Sequence, residues 1–244
     1  MRFFAESNGI DLVNKKVTIR GGDAVHITGA LRLKKGEIIT VSDGGGTDYA
    51  CEITSLERGA VNLSILKSYK SSTEPEIKVT LFQALPKFGK MELIIEKCVE
   101  LGIYEIVPVT TLYTTVKIND KISEKILRFN KISESAAKQC NRAFIPKVKM
   151  PVSFETAVCE IQKLDIAIAA YENEADFKIR NALEGFSGKT AGLFIGPEGG
   201  FSESEALTFK GNKIHTVSLG KRILRTETAG FACLTIFFNE TGEF

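Results

Sequence analysis

Two segments near the end of the chain decide the fold: Leu193-Phe-Ile-Gly-Pro-Glu-Gly-Gly-Phe201 and Val217-Ser-Leu-Gly-Lys-Arg-Ile-Leu-Arg-Thr-Glu-Thr-Ala229. Each begins as a short apolar run, breaks at a glycine and leads into a predicted helix. Ser202 is followed three residues later by Glu205, which is a capping box, and Thr226 opens the second helix. Two strands therefore each deliver a loop rich in backbone N–H groups to the start of a helix, where α/β proteins bind small ligands. The alternative, for either segment alone, is a plain strand-to-helix turn.

The chain between residues 77 and 170 alternates between strand and helix patterns. The strands are predicted at Ile77–Ala84, Glu105–Val109 and Ile166–Ala170, and the helices at Lys90–Leu101, Ile122–Cys140 and Phe154–Leu164. Strands separated by helices of this length predict a parallel, largely buried sheet with helices on both faces.

Residues 1–70 have mainly strand patterns. Predicted strands at Glu37–Val41 and Tyr49–Ile53 flank the glycine-rich segment Ser42–Asp48. We interpret this segment as a hairpin turn and not as a phosphate loop, because a strand and not a helix follows it. The alternating pattern of Ala60–Leu66 predicts the next strand.

A helix is predicted only at Asp23–Leu33 in this first part of the chain, with Asp23 as its N-cap. Lys70–Pro75 is polar and ends at proline, which makes it the best candidate for a linker. The predicted architecture is therefore a small β domain followed by an α/β domain.

The composition is that of an ordinary globular protein. The 244 residues are 43% hydrophobic and 25% charged, enough to bury a core. No apolar run approaches the ~20 residues of a membrane helix, and the amino end lacks a signal-peptide core. The five cysteines lie far apart without a Cys-x-x-Cys pair, which argues against a zinc site and against disulfides. We expect reduced thiols in a cytoplasmic protein.

The net charge of +2 conceals a basic middle segment. From Lys117 to Lys149, nine Lys or Arg residues stand against three Asp or Glu residues, an excess that can attract a polyanion by counterion release. In the helix predicted here, steps of three and four residues place a polar stripe on one side: Arg128, Lys131, Ser135, Lys138 and Arg142. The alternative is a solvated face that serves solubility. For Arg142, near the predicted helix end, we favour a functional role.

Motifs for a nucleophile or a metal are missing from the sequence. There is no Gly-x-Ser-x-Gly elbow, and the two histidines, His26 and His215, lack the spacing of metal ligands. His215 lies in the strand before the second loop, so we expect it in the core. The two loops then favour group transfer from a bound cofactor, with the protein supplying position and electrostatics.

The two loops resemble the signature of the RsmE family, the bacterial 16S ribosomal RNA uridine-N3 methyltransferases of the SPOUT superfamily. The matching motifs are Gly196-Pro-Glu-Gly-Gly-Phe-Ser202 and Leu219-Gly-Lys-Arg-Ile-Leu-Arg-Thr-Glu-Thr-Ala229. The likeness extends over nearly the whole chain, because further positions match the family pattern: Arg2-Phe-Phe, His26, Lys97, Glu100-Leu-Gly102, Pro108, Gln139, Arg142 and Pro146.

The resemblance implies an α/β fold, a SPOUT-type parallel sheet with a C-terminal trefoil knot over residues 73–244. A small PUA-like β-barrel that docks RNA would precede it over residues 1–72. The resemblance also implies S-adenosylmethionine as cofactor, held in the knot, and a homodimer in which two subunits complete each active site. It implies no metal and no membrane. The cofactor-binding positions carried over are Leu193, Gly196, Pro197, Gly199, Gly200, Leu219, Gly220, Ile223, Leu224, Thr228 and Ala229.

The implied substrate is a specific uridine in the decoding region of 16S rRNA, methylated at N3 on the assembled 30S subunit. The RNA-binding positions carried over are Arg2, Lys97, Arg128, Lys131, Lys138 and Gln139. N3 lies on the base-pairing edge, so the uridine must be unpaired when it reacts.

Methyl transfer to N3 places negative charge on the flanking uracil oxygens as the N3 proton leaves, and a hydrogen-bond donor there lowers the barrier. We predict Arg225 for this role, since it lies between the second loop and the last helix. Arg142, from the partner subunit, is the second candidate. Glu198 or Glu227 can accept the proton, although both can equally cap helix N–H groups.

The segment Thr111-Leu-Tyr-Thr114 departs from the family pattern, which usually has Thr-Glu-Arg-Ser there. Leu112 and Tyr113 replace a charged pair, so another group handles the substrate, or Tyr113 stacks on the base. This departure keeps two alternatives open: a methyltransferase of the same fold acting on another RNA position, and a catalytically inactive RNA-binding protein of the ribosome.

Overall fold

The computed structural model describes residues 2–5, 7–87, 89–116 and 118–244. The chain divides into two compact units. Unit 1 comprises residues 1–74 with 137–145, and unit 2 comprises residues 75–136 with 146–244. Lys117, one of the basic residues counted in the middle segment, lies outside the described residues.

Unit 1 is built on a six-stranded sheet. Its strands are β1 (Arg2–Phe4), β2 (Ile10–Asp11), β3 (Lys16–Arg20), β4 (Ile38–Ser42), β5 (Thr47–Glu57) and β6 (Ala60–Lys70), in the order β1-β4-β5-β6-β3-β2. All pairs are antiparallel except β1 with β4. The predicted hairpin is confirmed, since β4 and β5 pair directly across the glycine turn. The alternation of side chains buries one apolar set, which includes Val17, Ile19, Val41, Ile53 and Leu63.

The helix predicted at Asp23–Leu33 is wrong in its limits and its type. The helix α1 spans Gly21–Val25 and continues as a π-helical turn over His26–Ala30. The chain leaves β3 at Arg20 and turns at Gly21, whose φ of 66° is one that glycine adopts without strain. The helix therefore starts two residues before Asp23, which lies inside it and is not the N-cap.

Residues 137–145 complete unit 1 by packing on its glycine turn. Gly44 and Gly45 form β-bridges with Phe144, and the N–H of Gly46 donates to the carbonyl of Ala143 at 3.2 Å. The carboxylate of Glu74 accepts hydrogen bonds from the guanidinium of Arg142 at 2.7 and 3.0 Å. It also accepts from the N–H groups of Ala143 and Phe144. One acidic side chain thus fixes this segment.

Unit 2 is an α/β structure on a parallel sheet, as predicted. Its strands are β7 (Lys78–Ala84), β8 (Glu105–Thr110), β9 (Lys147–Val148), β10 (Val152–Ser153), β11 (Ile166–Ala170), β12 (Thr190–Ile195) and β13 (His215–Val217). The order is β10-β8-β7-β12-β11-β13, with β9 also paired to β8. Every pair is parallel. The carboxyl ends of β11, β12 and β13 consequently lie at one edge of the sheet.

Helices connect these strands. They are α2 (Lys90–Glu100), α3 (Ile122–Gln139), α4 (Phe154–Ile161), α5 (Ile179–Ala182), α6 (Glu203–Gly211) and α7 (Thr226–Thr241). The predicted helices are confirmed, with ends that differ by one to three residues. In α3, Ile126, Phe129 and Ala136 are buried, on the side of the helix opposite the exposed Lys131 and Ser135.

His215 is exposed, so its expected core position is wrong. It is the first residue of the edge strand β13, and its ring stacks on Phe177 with centroids 5.9 Å apart. The alternation of side chains along the strand turns Thr216 inward and His215 outward.

The cysteines are free thiols, as expected. Burial raises the pKa of Cys51 to about 11 and that of Cys233 to about 12, so both are protonated at neutral pH. Over the described ranges, no group of three or more His, Cys, Asp or Glu side chains is arranged to hold a metal ion. No helix in that part of the chain is long and apolar enough to span a bilayer.

Candidate active site

A cavity of about 500 Å³ lies at the carboxyl ends of β11, β12 and β13 in unit 2. Its walls are three consecutive strand-end segments: 170–172 after β11, 195–200 after β12 and 218–226 after β13. Lys90, at the start of α2, closes another side. The volume is in the range of ~300–1,000 Å³ typical of small-molecule sites.

The first loop, residues 196–200, is a tight turn with close backbone contacts. The N–H of Gly200 donates to the carbonyl of Pro197 at 3.0 Å, and Gly200 has a φ of 68°. A β-carbon on Gly200 would collide with the carboxylate of Glu172, and one on Gly196 would lie 3.2 Å from the backbone of Gly200. The backbone conformation therefore favours glycine at Gly200, and a larger residue would also displace the Glu172 side chain.

The far end of this loop is held by aromatic packing and by the capping box. Phe201 is buried, and its ring packs edge-on against Phe194 and Phe209 at centroid distances of 5.2 and 4.9 Å. The capping box is confirmed, because Ser202 and Glu205 exchange side chain-to-backbone hydrogen bonds at the start of α6. The loop is thus fixed by both β12 and α6.

The second loop, residues 218–225, ends in a buried hydrogen-bond chain. The hydroxyl of Thr226 donates to the carbonyl of Gly196 at 2.6 Å. Because that hydroxyl hydrogen is used, the same oxygen accepts from Nε2 of Gln83 at 3.0 Å. Gln83 lies in β7 and is fully buried. Thr226 therefore ties the start of α7 to the first loop and to the middle of the sheet.

A cluster of one lysine and two glutamates stands beside the first loop. The ammonium of Lys90 lies 3.0 Å from the carboxylate of Glu198 and 3.4 Å from that of Glu227. The N–H of Lys87 also donates to Glu198 at 3.0 Å. Burial raises the pKa of Glu198, but its own N–H, Lys90 and the Lys87 N–H outweigh burial, so its pKa lies below the ordinary value. The hydrogen bond to Glu198 is the main reason that the pKa of Lys90 is raised. Both groups are charged at neutral pH.

The cavity contains most of the residues predicted to bind the cofactor. Those that line it are Gly196, Pro197, Gly199, Gly200, Leu219, Gly220, Ile223, Leu224 and Ala229. Leu193 lies deeper, fully buried within β12, and Thr228 is exposed on α7; neither belongs to the lining.

Sequence reasoning missed several lining residues, among them Lys90, Tyr171, Glu172 and Thr226. The signal for Lys90, Tyr171 and Glu172 was available, because each follows a predicted strand of the parallel sheet, where ligand sites form. Thr226 was recognised as the opening of α7, but its inward hydroxyl could not be inferred from spacing.

The predicted catalytic residues are spread over both units. Arg225 is exposed, lines the cavity and is the N-cap residue of α7. Glu198 lines the cavity, and Glu227 faces Lys90 from the first turn of α7.

Arg142 does not continue the exposed stripe of α3, which corrects the sequence prediction. The helix ends at Gln139, and Asn141 has a φ of 59°, so the chain turns before Arg142. The Arg142 side chain is 5% exposed and pairs with Glu74 inside unit 1.

The predicted RNA-binding residues differ in how far their charge is neutralised. Arg2 pairs with Asp48 at 2.6 Å within unit 1, and Arg128 with Glu92 at 2.5 Å. Lys97 lies 2.8 Å from both Glu96 and Glu100, and Lys138 lies 3.1 Å from Asp23. Lys131 and Gln139 are exposed on α3.

Comparison with known proteins defines the class. Residues 73–238 match the family model described as RNA methyltransferase domain, and residues 19–66 match that described as RNA methyltransferase PUA domain. A fold with this cavity and these two domains is that of an RNA methyltransferase with a PUA domain.

Relatives narrow the class to one family. The chain is 32% identical to ribosomal RNA small subunit methyltransferase E of Bacillus subtilis, over 92% of this chain and 90% of the relative. It is similar to the crystal structure of ribosomal RNA small subunit methyltransferase E from Neisseria gonorrhoeae bound to S-adenosyl methionine. That structure has a TM-score of 0.82 and 27% identity, over 98% of this chain and 96% of the other. The Legionella pneumophila putative methyltransferase Lpg2936, solved with bound SAM, has a TM-score of 0.80 and 27% identity, with coverages of 98% and 96%.

The chain belongs to the ribosomal RNA small subunit methyltransferase E family. The resemblance stated from the two loops is thereby confirmed.

Proposed function

We propose that this protein transfers a methyl group from S-adenosylmethionine to N3 of a specific uridine in the decoding region of 16S rRNA. The substrate is the assembled 30S subunit, which places the reaction in the cytoplasm. The observation that carries the proposal is the cavity between the two loops, braced by the hydrogen bond from Thr226 to Gly196, in a chain of this family.

The residues of the cavity fit S-adenosylmethionine. Gly220 has a φ of 117°. Within the described part of the chain, and apart from its two chain neighbours, no atom lies within 4 Å of the point where a β-carbon would stand, so a ligand can approach its backbone. The lining combines the acidic Glu172 with the basic Lys221 and Arg222, a mixture that suits a ligand with both charges. Residues 196–200 and 219–224 would hold the adenosine and methionine parts, and the bound cofactor supplies an electrophilic methyl group on its sulfonium.

Arg225 stabilises the reacting uracil in this proposal. Its exposed side chain at the cavity can donate to a uracil carbonyl oxygen. The N3 proton passes to water at the open side of the cavity, and N3 would accept the methyl group as its bond to the sulfonium sulfur breaks, leaving a neutral thioether. The departing proton leaves negative charge on N3 and both uracil carbonyl oxygens, and the Arg225 guanidinium stabilises this charge more than it stabilises the resting base.

Glu198 and Glu227 act through Lys90 and not as the proton acceptor. A carboxylate whose pKa is lowered is a weak base, and Glu198 already accepts from two donors. Glu227 is not among the lining residues of the cavity, and its carboxylate lies 3.4 Å from the Lys90 ammonium. We therefore assign both carboxylates to holding Lys90 at the cavity. The role predicted for Arg142, in contrast, becomes the bracing of unit 1 through Glu74.

We further propose that the enzyme is a homodimer and that unit 2 contains the trefoil knot of the SPOUT superfamily. Ile223 supports the dimer, because this apolar side chain is 89% exposed while it lines the cavity. A second subunit that covers it would close the site against water. Sedimentation of the wild type and of Ile223→Glu tests the dimer, which the acidic side chain should dissociate.

The test of the function is methyl transfer from labelled S-adenosylmethionine to 30S subunits that lack the modification, followed by nucleoside analysis. We expect N3-methyluridine as the labelled product. Another methylated nucleoside would instead support a methyltransferase of the same fold on another RNA position. Absence of cofactor binding in calorimetry would leave the RNA-binding alternative.

A further inference from the structure

The segment Thr111–Thr114, directly after β8, is a rigid turn. The N–H of Thr111 donates to Oγ1 of Thr114 at 3.0 Å, the two threonine hydroxyls lie 2.9 Å apart, and the N–H of Thr114 donates to the carbonyl of Thr111. Three hydrogen bonds across four residues leave this turn little freedom. Leu112 and Tyr113 form its tip.

Glu205 ties the turn to the first loop of the cavity. One carboxylate oxygen accepts from the N–H of Leu112 at 2.9 Å, and the other accepts from the N–H of Ser202 at 2.9 Å. Glu205 is buried, so both hydrogen bonds are shielded from water. The turn and the loop therefore keep a fixed relative position.

Tyr113 lies against this loop at Gly199. A β-carbon on Gly199 would stand 3.1 Å from Cβ and 3.4 Å from Cγ of Tyr113, so the tyrosine packs directly on the Gly199 backbone. Gly199 itself lines the cavity. Tyr113 nevertheless remains 48% exposed. An aromatic side chain that is backed by a fixed turn and open to solvent is a platform for a flat ligand.

We propose that Tyr113 stacks on the target uracil and positions it at the cavity, an inference that rests on the proposed function. The uracil must be unpaired to present N3, and an unstacked base regains its stacking energy on an aromatic side chain. Stacking tolerates any base, so Tyr113 positions the uracil and leaves its identification to polar groups such as Arg225.

The kinetic test compares Tyr113→Ala with Tyr113→Phe. Loss of one stacking contact should raise the KM for 30S subunits between about 5- and 150-fold. The Phe variant should stay within about twofold of the wild type, since the ring remains. Neither change should alter cofactor affinity in calorimetry. Leu207→Ala is the matched control, because Leu207 is a large apolar side chain exposed on α6 in the same unit.

A second test needs no turnover. The chain contains no tryptophan, so Tyr113→Trp introduces a single fluorophore. Saturation with a single-stranded uridine-containing RNA fragment should quench its emission, and Leu207→Trp should remain unquenched.

Two results would overturn the inference: wild-type KM in Tyr113→Ala, or no quenching in Tyr113→Trp. The fluorescence titration decides the role of Tyr113 even if the wild type makes no N3-methyluridine. Failure of the proposed function and failure of this inference are therefore distinguishable.

Discussion

The hydroxyl of Thr226 and the carbonyl oxygen of Gly196 are 2.6 Å apart, although 30 residues separate them in the chain. This hydrogen bond joins the two loops of the cavity, and Gln83 extends it into β7. The position of the second loop therefore depends on that of the first. A substitution that makes one loop more mobile should also change the conformation of the other.

Thr226→Val should remove this connection while keeping the shape of the side chain. The change leaves the Gly196 carbonyl without this buried donor, which costs about 1–3 kcal/mol. The Gln83 amide loses one of its two acceptors and keeps the carbonyl of Ala84. We expect a lower midpoint of urea unfolding and weaker binding of S-adenosylmethionine in calorimetry. Thr235→Val is the control, because Thr235 is exposed on α7; an equal effect there would contradict the assignment.

Gly200→Ala should distort the first loop. Its φ of 68° costs an alanine about 1–2 kcal/mol, and the new methyl group meets Glu172. We expect at least tenfold weaker cofactor binding, measured by calorimetry. Gly211→Ala, at the end of α6 with open space around it, should be neutral or slightly stabilising. Unchanged affinity in Gly200→Ala would show that this turn does not shape the site.

Arg225→Ala should separate chemistry from cofactor binding. Removing a donor that acts on developing charge lowers the turnover by about 10²–10³-fold, whereas affinity for S-adenosylmethionine should change by no more than about twofold. Single-turnover methylation of 30S subunits measures the first quantity and calorimetry the second. Arg180→Ala, on the exposed side of α5, provides the control. Wild-type turnover in Arg225→Ala would show that another residue stabilises the charge on the uracil.

Glu198→Gln should change the dependence of stability on pH. The pKa of Glu198 is lowered in the folded protein, so its contribution is present above the unfolded value of about 4.3 and is lost as pH falls through the folded pKa. The pKa of Lys90 is raised, so its contribution is lost only as pH rises through that value. Urea unfolding below pH 5 should show a flatter acid limb in Glu198→Gln than in the wild type. Glu184→Gln, an exposed change, should keep the wild-type limb.

Glu74→Ala should destabilise unit 1 strongly. The carboxylate and the Arg142 guanidinium are 12% and 5% exposed, and removing one member of a buried pair costs about 3–5 kcal/mol. Glu76→Ala, whose partner Lys189 is exposed, should cost less than about 1 kcal/mol. Thermal unfolding measures both variants.

Arg142→Ala distinguishes a structural from a catalytic role for the same pair. We expect its unfolding temperature to fall with that of Glu74→Ala, while turnover by the folded fraction at low temperature stays near the wild type. Wild-type stability combined with lost turnover would restore the catalytic role predicted from sequence.

The sequence predicted local features well because their signals are local. The alternation of apolar residues marked the strands, and the spacing of Ser202 and Glu205 marked the start of α6. The two glycine loops lie at the cavity because parallel strands bring their carboxyl ends to one edge. Glu172, which follows β11 at the same edge of the sheet, was not predicted as a cavity residue because its segment has no glycine motif.

Contacts between distant segments were beyond such reasoning. Helical periodicity placed Arg142 on an exposed stripe. The helix ends before Arg142, however, and the position of its side chain is set by the hydrogen bond to Glu74, 68 residues earlier. Two further contacts also form only in the folded sheet. One is the hydrogen bond of the Thr226 hydroxyl, and the other joins Glu198 to Lys90, 108 residues apart.

The contribution of residues 137–145 to unit 1 has a consequence for synthesis on the ribosome. Domains generally fold in the order in which they emerge, yet here the nascent chain must extend past Ile145 before the partner of Glu74 exists. By then β7, α2, β8 and α3 have already been made. Folding of unit 1 therefore finishes only after much of unit 2 has emerged. A fragment ending at Pro75 would lack residues 137–145, which pack on the glycine turn of unit 1.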